Sequence, residues 1–146
     1  MPAKRLAVEA WEALFRAQVT IFRDLHAEFP TELLTIIEYD LLFNLSRLPN
    51  RAARPRDLNS VLLLSQPSIS RLIDRMAERG FVTKAADPED GRGILVTLTE
   101  DGFRMFRKAA AVHSASIARR FGDALSEDEL RRLIELCDRV RAAGAE

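Results

Sequence analysis

The chain has 146 residues, the size of one ordinary domain, and its 47% hydrophobic and 30% charged residues exclude a disordered protein. It holds no apolar run long enough to cross a membrane, so no membrane partner is predicted. The formal net charge is zero, which alone argues mildly against a nucleic-acid partner, because binding phosphates needs local positive potential. Positions 51–108 nevertheless carry eleven Arg or Lys and eight Asp or Glu, a net of +3, which leaves −3 for the rest.

A first helix is predicted from about Leu6 to Glu28, and it is apolar on two faces. One face carries Ala10, Leu14, Ala17, Ile21 and Leu25. The other face carries Trp11, Phe15, Phe22 and Phe29. A helix that is apolar on two faces must be covered on two sides. In so short a chain, we expect a second copy of the protein to supply the extra cover. Pro30 predicts the end of this helix, because the residue before a proline avoids helical angles.

Two more helices are predicted before the middle of the chain. The first runs from about Glu32 to Arg47 and is ended by Pro49 and Asn50. A short helix then spans about Arg56 to Leu63. The loop between these two helices is basic, since it contains Arg51, Arg54 and Arg56.

The next predicted helix has two distinct faces. Ser65 is a good N-cap, Pro67 suits the first turn, and Gly80 stops the helix. The core stripe at helical spacing consists of Ile69, Leu72, Ile73 and Met76. Hydroxyl and guanidinium groups lie on the opposite face, at Ser68, Arg71 and Arg75.

A β-hairpin is predicted directly after this helix. Its strands are Phe81–Lys84 and Ile94–Leu98, and Asp87–Arg92 between them has the composition of a turn. Thr99 then caps a helix from about Glu100 to Phe121. The last helix begins with a capping box, in which Ser126 and Glu129 bond reciprocally.

This order of elements predicts a mainly α protein with a small β-hairpin wing, which is the pattern of a winged helix-turn-helix. An α-helix fits the major groove of B-DNA, where base edges differ, and arginine can donate to guanine or to phosphate. A helix N-terminus attracts phosphate, and the narrow minor groove attracts an arginine such as Arg92 at the hairpin tip. The predicted DNA-binding residues are Arg54, Arg56, Ser65, Gln66, Ser68, Ser70, Arg71, Arg75 and Arg92.

Two blocks of the sequence resemble the MarR (multiple antibiotic resistance regulator) family. Leu64–Val82 is similar to the family's recognition helix and the start of its wing. Asp87–Gly102 is similar to its wing signature, an Asp-x-Arg followed by Leu-Thr and a Gly. The resemblance extends over nearly the whole chain. It implies a single domain over 1–146, with a DNA-binding part at about 32–99 and helical dimerisation parts at about 6–29 and 100–142.

The resemblance also implies how such a protein works. It implies a homodimer on a pseudo-palindromic DNA operator, with Asp90 and Arg92 organising the wing and Arg92 meeting the minor groove. A small aromatic or phenolic ligand is implied to release the DNA by changing the spacing of the two recognition helices. We therefore predict a cytoplasmic transcription regulator, more often a repressor than an activator.

Several residues keep alternative interpretations. Arg71 and Arg75 are either DNA contacts or solvated charges paired with Asp74 and Glu78. Asp90 either forms a wing salt bridge or only a turn. Trp11, Phe15 and Phe22 form core packing more often than a ligand pocket.

The sequence predicts no metal site or cofactor. The two histidines and the single cysteine lie in three different helices, at His26, His113 and Cys137. Cys137 cannot form an internal disulfide, which favours a cytosolic protein, and a buried small side chain is preferred over a redox sensor.

The alternatives to DNA binding are a protein-binding module and an enzyme. The zero net charge leaves open a winged-helix module that binds proteins rather than DNA. An enzyme has no positive feature in the sequence, because neither a phosphate-binding glycine loop nor a nucleophile–base set is present.

Overall fold

The computed structural model describes residues 2–62 and 66–144, which form mainly helices with one small sheet. In chain order the elements are α1 (Pro2–Glu28), α2 (Ile36–Ser46), a 3-10 turn (Pro49–Arg51), β1 (Ala52–Ala53), α3 (Pro55–Leu58), α4 (Gln66–Glu78), β2 (Val82–Ala86), β3 (Ile94–Leu98), α5 (Glu100–Ile117), a π-helical turn (Ala118–Gly122) and α6 (Glu127–Ala143). The predicted fold class, mainly α with a β-hairpin wing, is confirmed. No helix in the described part is long and apolar enough to cross a membrane.

The chain divides into two units. The central unit is Phe29–Val112, and the terminal unit is Met1–Glu28 together with His113–Glu146. Helix α5 runs through the boundary, so its last turn belongs to the terminal unit. The division into a DNA-binding part at 32–99 and dimerisation parts on either side remains a prediction.

The hydrophobic core of the central unit is built from helices α2, α3, α4 and α5 and from the sheet. The predicted stripe of α4 is confirmed as core, since all four of its side chains are buried. Phe29 lies beyond the end of α1 and is buried in this core rather than continuing an α1 stripe. The largest fully buried side chains of this core are Leu34, Leu41, Leu42, Leu45, Leu58, Leu62, Ile69, Leu72, Ile73, Met76 and Val96.

The sheet has three antiparallel strands in the order β1-β3-β2. Val82 pairs with Leu98 and Ala86 pairs with Ile94, so β2 extends two residues beyond its predicted end at Lys84. Sequence reasoning missed β1, because two alanines carry no strand pattern. Ala52 pairs with Thr97, and β3 is therefore the central strand of the sheet.

Helix α2 begins later than predicted, at Ile36 rather than Glu32. Thr35 is its N-cap: the Thr35 hydroxyl accepts from the Glu38 N–H at 3.2 Å, and the Glu38 carboxylate accepts from the Thr35 N–H at 2.7 Å. This capping box fixes the start of the helix. The Thr-x-x-Glu spacing was the signal for it, and the apolar stripe that began at Leu33 obscured it.

Other helix limits also differ from prediction. Helix α1 begins at Pro2 rather than Leu6, and α3 ends at Leu58 rather than Leu63. The predicted N-cap of α4, Ser65, lies outside the described residues. Gly80 ends that helix as predicted, with a φ of 79° that favours glycine.

The wing and α5 meet at a close backbone contact. The Thr99 hydroxyl donates to the Gly80 carbonyl at 2.7 Å and accepts from the Gly102 N–H at 3.0 Å. A Cβ at position 102 would collide with the Phe81 carbonyl and lie 2.8 Å from Leu98 Cδ1. Glycine is therefore required here by the approach of α5 to the sheet. Helix α5 changes to a π-helical turn after Ile117, earlier than the predicted end at Phe121.

The terminal unit contains α1 and α6, and its helix caps follow the sequence. Ser126 and Glu129 form the predicted capping box at the start of α6. Neither α1 nor α6 has a buried residue in the single chain.

Candidate nucleic-acid interface

Helix α4 presents a polar surface opposite its buried stripe. Ser70 and Arg71 are exposed and Ser68 is half-buried, as the helical spacing predicts. Arg71 Nη2 donates to Ser68 Oγ at 3.3 Å, one turn away. The backbone of Gln66 opens the helix, but its side chain lies outside the described part of the chain. The helix therefore presents hydroxyl and guanidinium groups on the side opposite its buried stripe.

Arg75 contacts an acid that is distant in sequence. Its Nε donates to Glu38 Oε2 at 3.2 Å, and 51% of its side chain remains exposed. The suggested pairing with Asp74 and Glu78 is not the arrangement found, because Asp74 instead accepts from Lys84 of β2. Helix α4 is thus tied to α2 through Arg75 and to the wing through Asp74.

The Glu38 carboxylate lies at the centre of an ion-pair cluster, and it is buried, since only 5% of its side chain is exposed. Arg79 Nη1 donates to both of its oxygens at 3.3 Å. Arg79 is itself held, because Nη2 donates to the Leu33 carbonyl at 2.9 Å and its guanidinium lies 4.8 Å from the centre of the Phe81 ring. Burial opposes ionisation of Glu38, but bonds from Thr35 and Arg75 and the charge of Arg79 lower its pKa overall. Sequence reasoning missed Glu38; its signal was an acid among apolar residues at the start of α2.

Arg54 joins the segment before α3 to the base of the wing. Its Nε donates to the carboxylate of Asp87 and its Nη2 donates to Glu89 Oε2 at 2.9 Å. The Asp87 side chain is almost fully buried and also accepts from the Glu89 N–H at 3.0 Å. The Arg54 bond, then that N–H, hold the pKa of Asp87 below its usual range. Arg54, one of the predicted DNA-binding residues, is therefore engaged in holding the wing.

The wing tip is organised by a turn at Asp90. Asp90 Oδ1 accepts from the Arg92 N–H at 3.1 Å, and the Asp90 carbonyl accepts from the Gly93 N–H at 2.9 Å. Of the two interpretations of Asp90, the structure shows the turn, and the ion pairs at the wing base are made by Asp87 and Glu89. The Arg92 side chain is exposed at the tip. Arg56, in α3, is also exposed.

Comparison with known proteins identifies the family. A family model described as MarR family matches residues 34–93, from the end of the α1–α2 connection to the wing tip. YkoM, an HTH-type transcriptional regulator of Bacillus subtilis, is 32% identical over 111 residues, which are 76% of this chain and 66% of that protein. The crystal structure of AbsC, a MarR family transcriptional regulator from Streptomyces coelicolor, has a TM-score of 0.76 at 28% identity, covering 91% of this chain and 93% of that one. The chain belongs to the MarR family.

A DNA complex is known for another MarR family protein with this fold. Sco3205 from Streptomyces coelicolor, crystallised in complex with DNA, has a TM-score of 0.79 at 23% identity and covers 94% of this chain and 86% of that chain. This likeness establishes the common fold. The chain spans less than two thirds of the length of the curated relatives it matches, 66% in the case of YkoM.

In this MarR-family chain, the terminal unit carries a large apolar surface. Trp11 is 61% exposed and Val140 is 66% exposed. A groove of about 650 Å³ lies between α1, the π-helical turn and α6. Its apolar lining consists of Leu14, Ala17, Ile21, Phe22, Leu25, Phe121, Ala124, Leu125, Leu133 and Cys137. Two apolar faces of α1 are therefore present, as the sequence predicted, and their cover by a second copy remains a prediction.

Cys137, His26 and His113 are the residues that the sequence offers for metal or redox chemistry. Cys137 is half-buried in the lining of the groove. His113 is half-buried in α5, where burial lowers its pKa. Within residues 2–62 and 66–144, no three potential metal-ligating side chains come together.

Proposed function

We propose that this MarR-family chain is a sequence-specific, double-stranded DNA-binding transcription regulator that acts in the cytoplasm as a homodimer. The observation that carries the proposal is the two-sided α4. Its inner face is fully buried in the core, whereas its outer face presents Ser70, Arg71 and half of Arg75. A helix of this kind can lie in the major groove with its polar side chains at the base edges.

The proposed DNA contacts fall into two groups. Ser68, Ser70, Arg71 and Arg75 of α4 read base edges, because arginine can donate to guanine and hydroxyls can donate or accept. The others position the protein on the backbone or in the minor groove. They are Arg92 at the wing tip, Arg56 in α3, Gln66, which opens α4, and Ser65, which precedes it in sequence. Arg54, whose guanidinium is bonded to Asp87 and Glu89, would act on DNA binding by holding the wing.

The homodimer is proposed from the exposed apolar surface of the terminal unit. A contiguous apolar surface of this kind on a folded chain marks an interaction site. Two copies related by a two-fold axis bind two half-sites about one helical turn of DNA apart, which predicts a pseudo-palindromic operator. A repressor of this type, released by a small aromatic or phenolic ligand, is the regulatory mode we propose.

Selection from random duplexes of about 30 base pairs, roughly three helical turns, tests DNA binding directly. We expect the wild-type protein to enrich a pseudo-palindrome, and affinity for that duplex to fall steeply with salt, by about 10³-fold or more between 50 and 200 mM. A protein-binding module, which the zero net charge favours, would enrich no sequence and bind duplex DNA weakly at any salt concentration. Failure to enrich any duplex at low salt would therefore overturn the proposal.

The ligand is tested separately on the selected duplex. A panel of aromatic acids and phenols is screened for an increase in Tm, and each hit is added to the protein–DNA complex. We expect at least one compound both to raise Tm and to release the duplex. Compounds that raise Tm without releasing DNA would contradict ligand-controlled repression.

A further inference from the structure

We propose that Glu38 is a positioning residue for DNA reading, because it fixes the guanidinium of Arg75 on the outer face of α4. This inference rests on the proposed function and assigns a role within it to a buried acid of α2. Glu38 itself does not touch DNA in this proposal, since its side chain is only 5% exposed.

The carboxylate is held in place without help from Arg75. The Thr35 N–H donates to Oε1 at 2.7 Å, and Arg79 donates to both oxygens at 3.3 Å. Arg79 is anchored in turn on the Leu33 carbonyl, at 2.9 Å. Glu38 is thus a rigid acceptor beneath the outer surface of α4, already positioned before Arg75 binds to it.

The geometry of the Arg75 bond suits a supporting role. Arg75 donates to Glu38 through Nε at 3.2 Å, whereas half of its side chain stays exposed. The terminal amino groups are the part of the guanidinium left for an outside acceptor. A flexible arginine loses rotamer freedom when it binds a base, and an arginine already held at Nε loses less.

The charges of the cluster favour binding of an anion such as DNA. Two arginines share one carboxylate, so the cluster of Glu38, Arg75 and Arg79 keeps a net charge of +1. Arg79 is tied to the protein backbone and to the Phe81 ring. Arg75, which is the more exposed of the two arginines, is therefore the member whose charge stays available to DNA.

Glu38→Gln separates positioning from simple electrostatics. The substitution removes a negative charge, so an electrostatic role predicts tighter binding to every duplex. Positioning predicts that affinity for the selected duplex falls by about tenfold, the range of one good bidentate base contact. Affinity for a shuffled duplex of the same composition is expected to stay equal or to rise. Equal strengthening on both duplexes would overturn the proposal.

A double-mutant cycle shows whether Glu38 acts through Arg75. Kd for the selected duplex is measured for wild type, Glu38→Gln, Arg75→Ala and the double variant, and Tm is recorded for each. We expect Glu38→Gln to have no further effect once Arg75 is alanine. The same fold-loss in both backgrounds would mean that Glu38 supports only the fold, and the positioning role would be wrong.

Arg75→Lys keeps the inference testable if Glu38→Gln does not fold. Lysine retains the charge but lacks the planar fork held at Nε. We expect this variant to keep its affinity for shuffled duplex and to lose about tenfold for the selected one. Wild-type discrimination by Arg75→Lys would overturn the proposal. If wild type enriches no duplex, the proposed function itself fails, and this inference fails with it.

Discussion

At the scale of single residues, Arg71 and Arg92 are expected to act differently. Arg71 lies on the outer face of α4, where it donates to Ser68 one turn away. We expect Arg71→Ala to weaken binding to the selected duplex about tenfold while it barely changes binding to shuffled DNA, since a base contact is lost. Competition titrations with the two duplexes measure this difference.

Arg92→Ala is expected to lower the affinity for both the selected and the shuffled duplex, by a similar, several-fold factor. The turn at Asp90 bonds the Arg92 backbone N–H and not its side chain, so the wing tip keeps its fold in the variant. The slope of log Kd against log salt should fall by about one, as when a backbone contact is lost. Loss of discrimination in Arg92→Ala, with the salt slope unchanged, would argue against this assignment.

The buried carboxylates predict how stability depends on pH. The pKa values of Glu38 and Asp87 are lowered in the folded protein, so the folded state binds fewer protons than the unfolded chain in acid. Their contribution to the free energy of unfolding is therefore complete above the ordinary carboxyl pKa of about 4 and is lost as the pH falls through the lowered values. Urea midpoints measured from about pH 6 to pH 2.5 should decline.

The matched control for this pH dependence is Glu38→Gln. Because glutamine does not titrate, the decline should be shallower in this variant. Asp40 opposes the trend, because burial raises its pKa. Midpoints that stay flat or rise toward low pH would show that the paired carboxylates do not control acid stability.

Residue-scale features differ in how far the sequence can reveal them. The buried stripe of α4 follows from helical spacing, which is a local property. The partners of the arginines do not, because Arg75 and Glu38 are 37 residues apart, and Arg54 and Asp87 are 33 apart. Only the packing of α2 against α4, and of β1 against β3, brings these groups together.

At the scale of elements, the junction of α5 with the sheet depends on Gly102. Because any Cβ there would collide with the Phe81 carbonyl, Gly102→Ala must push α5 away from the wing. We expect a loss of about 1–3 kcal/mol in the free energy of unfolding, typical of overpacking. Chemical denaturation measures this loss directly.

Gly91→Ala is the matched control for that substitution. A Cβ at position 91 meets no atom within 4 Å, so stability should change little. Equal losses of stability in the two variants would show that the close contact at this junction does not require glycine at position 102.

The limits of the helices and strands show where a local sequence signal is enough to predict them. The capping box at Ser126 predicted the start of α6 because both partners lie within one turn of chain. The start of α2 was mispredicted, although Thr35 and Glu38 form the same motif. Strand β1 has no local signal and exists only because β3 offers it hydrogen-bonding partners.

At the scale of the whole molecule, the apolar face of α1 is expected to control assembly. Phe15 is exposed beside Trp11, with ring centres 5.8 Å apart. We expect Phe15→Glu to place a charge in the dimer interface and shift the protein to monomer in sedimentation velocity experiments. Because two half-sites are then no longer joined, affinity for the selected duplex should fall by 10²-fold or more, on the order of the avidity lost when linked sites separate.

Thr20→Glu is the matched control on the same helix. Thr20 is exposed on the polar face of α1, so an equal charge there should leave the dimer intact. A dimer that survives Phe15→Glu, or that fails equally in both variants, would contradict an interface on the aromatic face.

The position of β3 between β1 and β2 has a consequence for proteolysis. A trypsin cut after the exposed Arg92 would separate β2 from β3 in sequence, but β3 would still be bonded to β1 on its other side. Because β1 and β2 both belong to the N-terminal fragment, the two fragments should remain together after a single cut. They should co-elute in gel filtration and separate only under denaturing conditions.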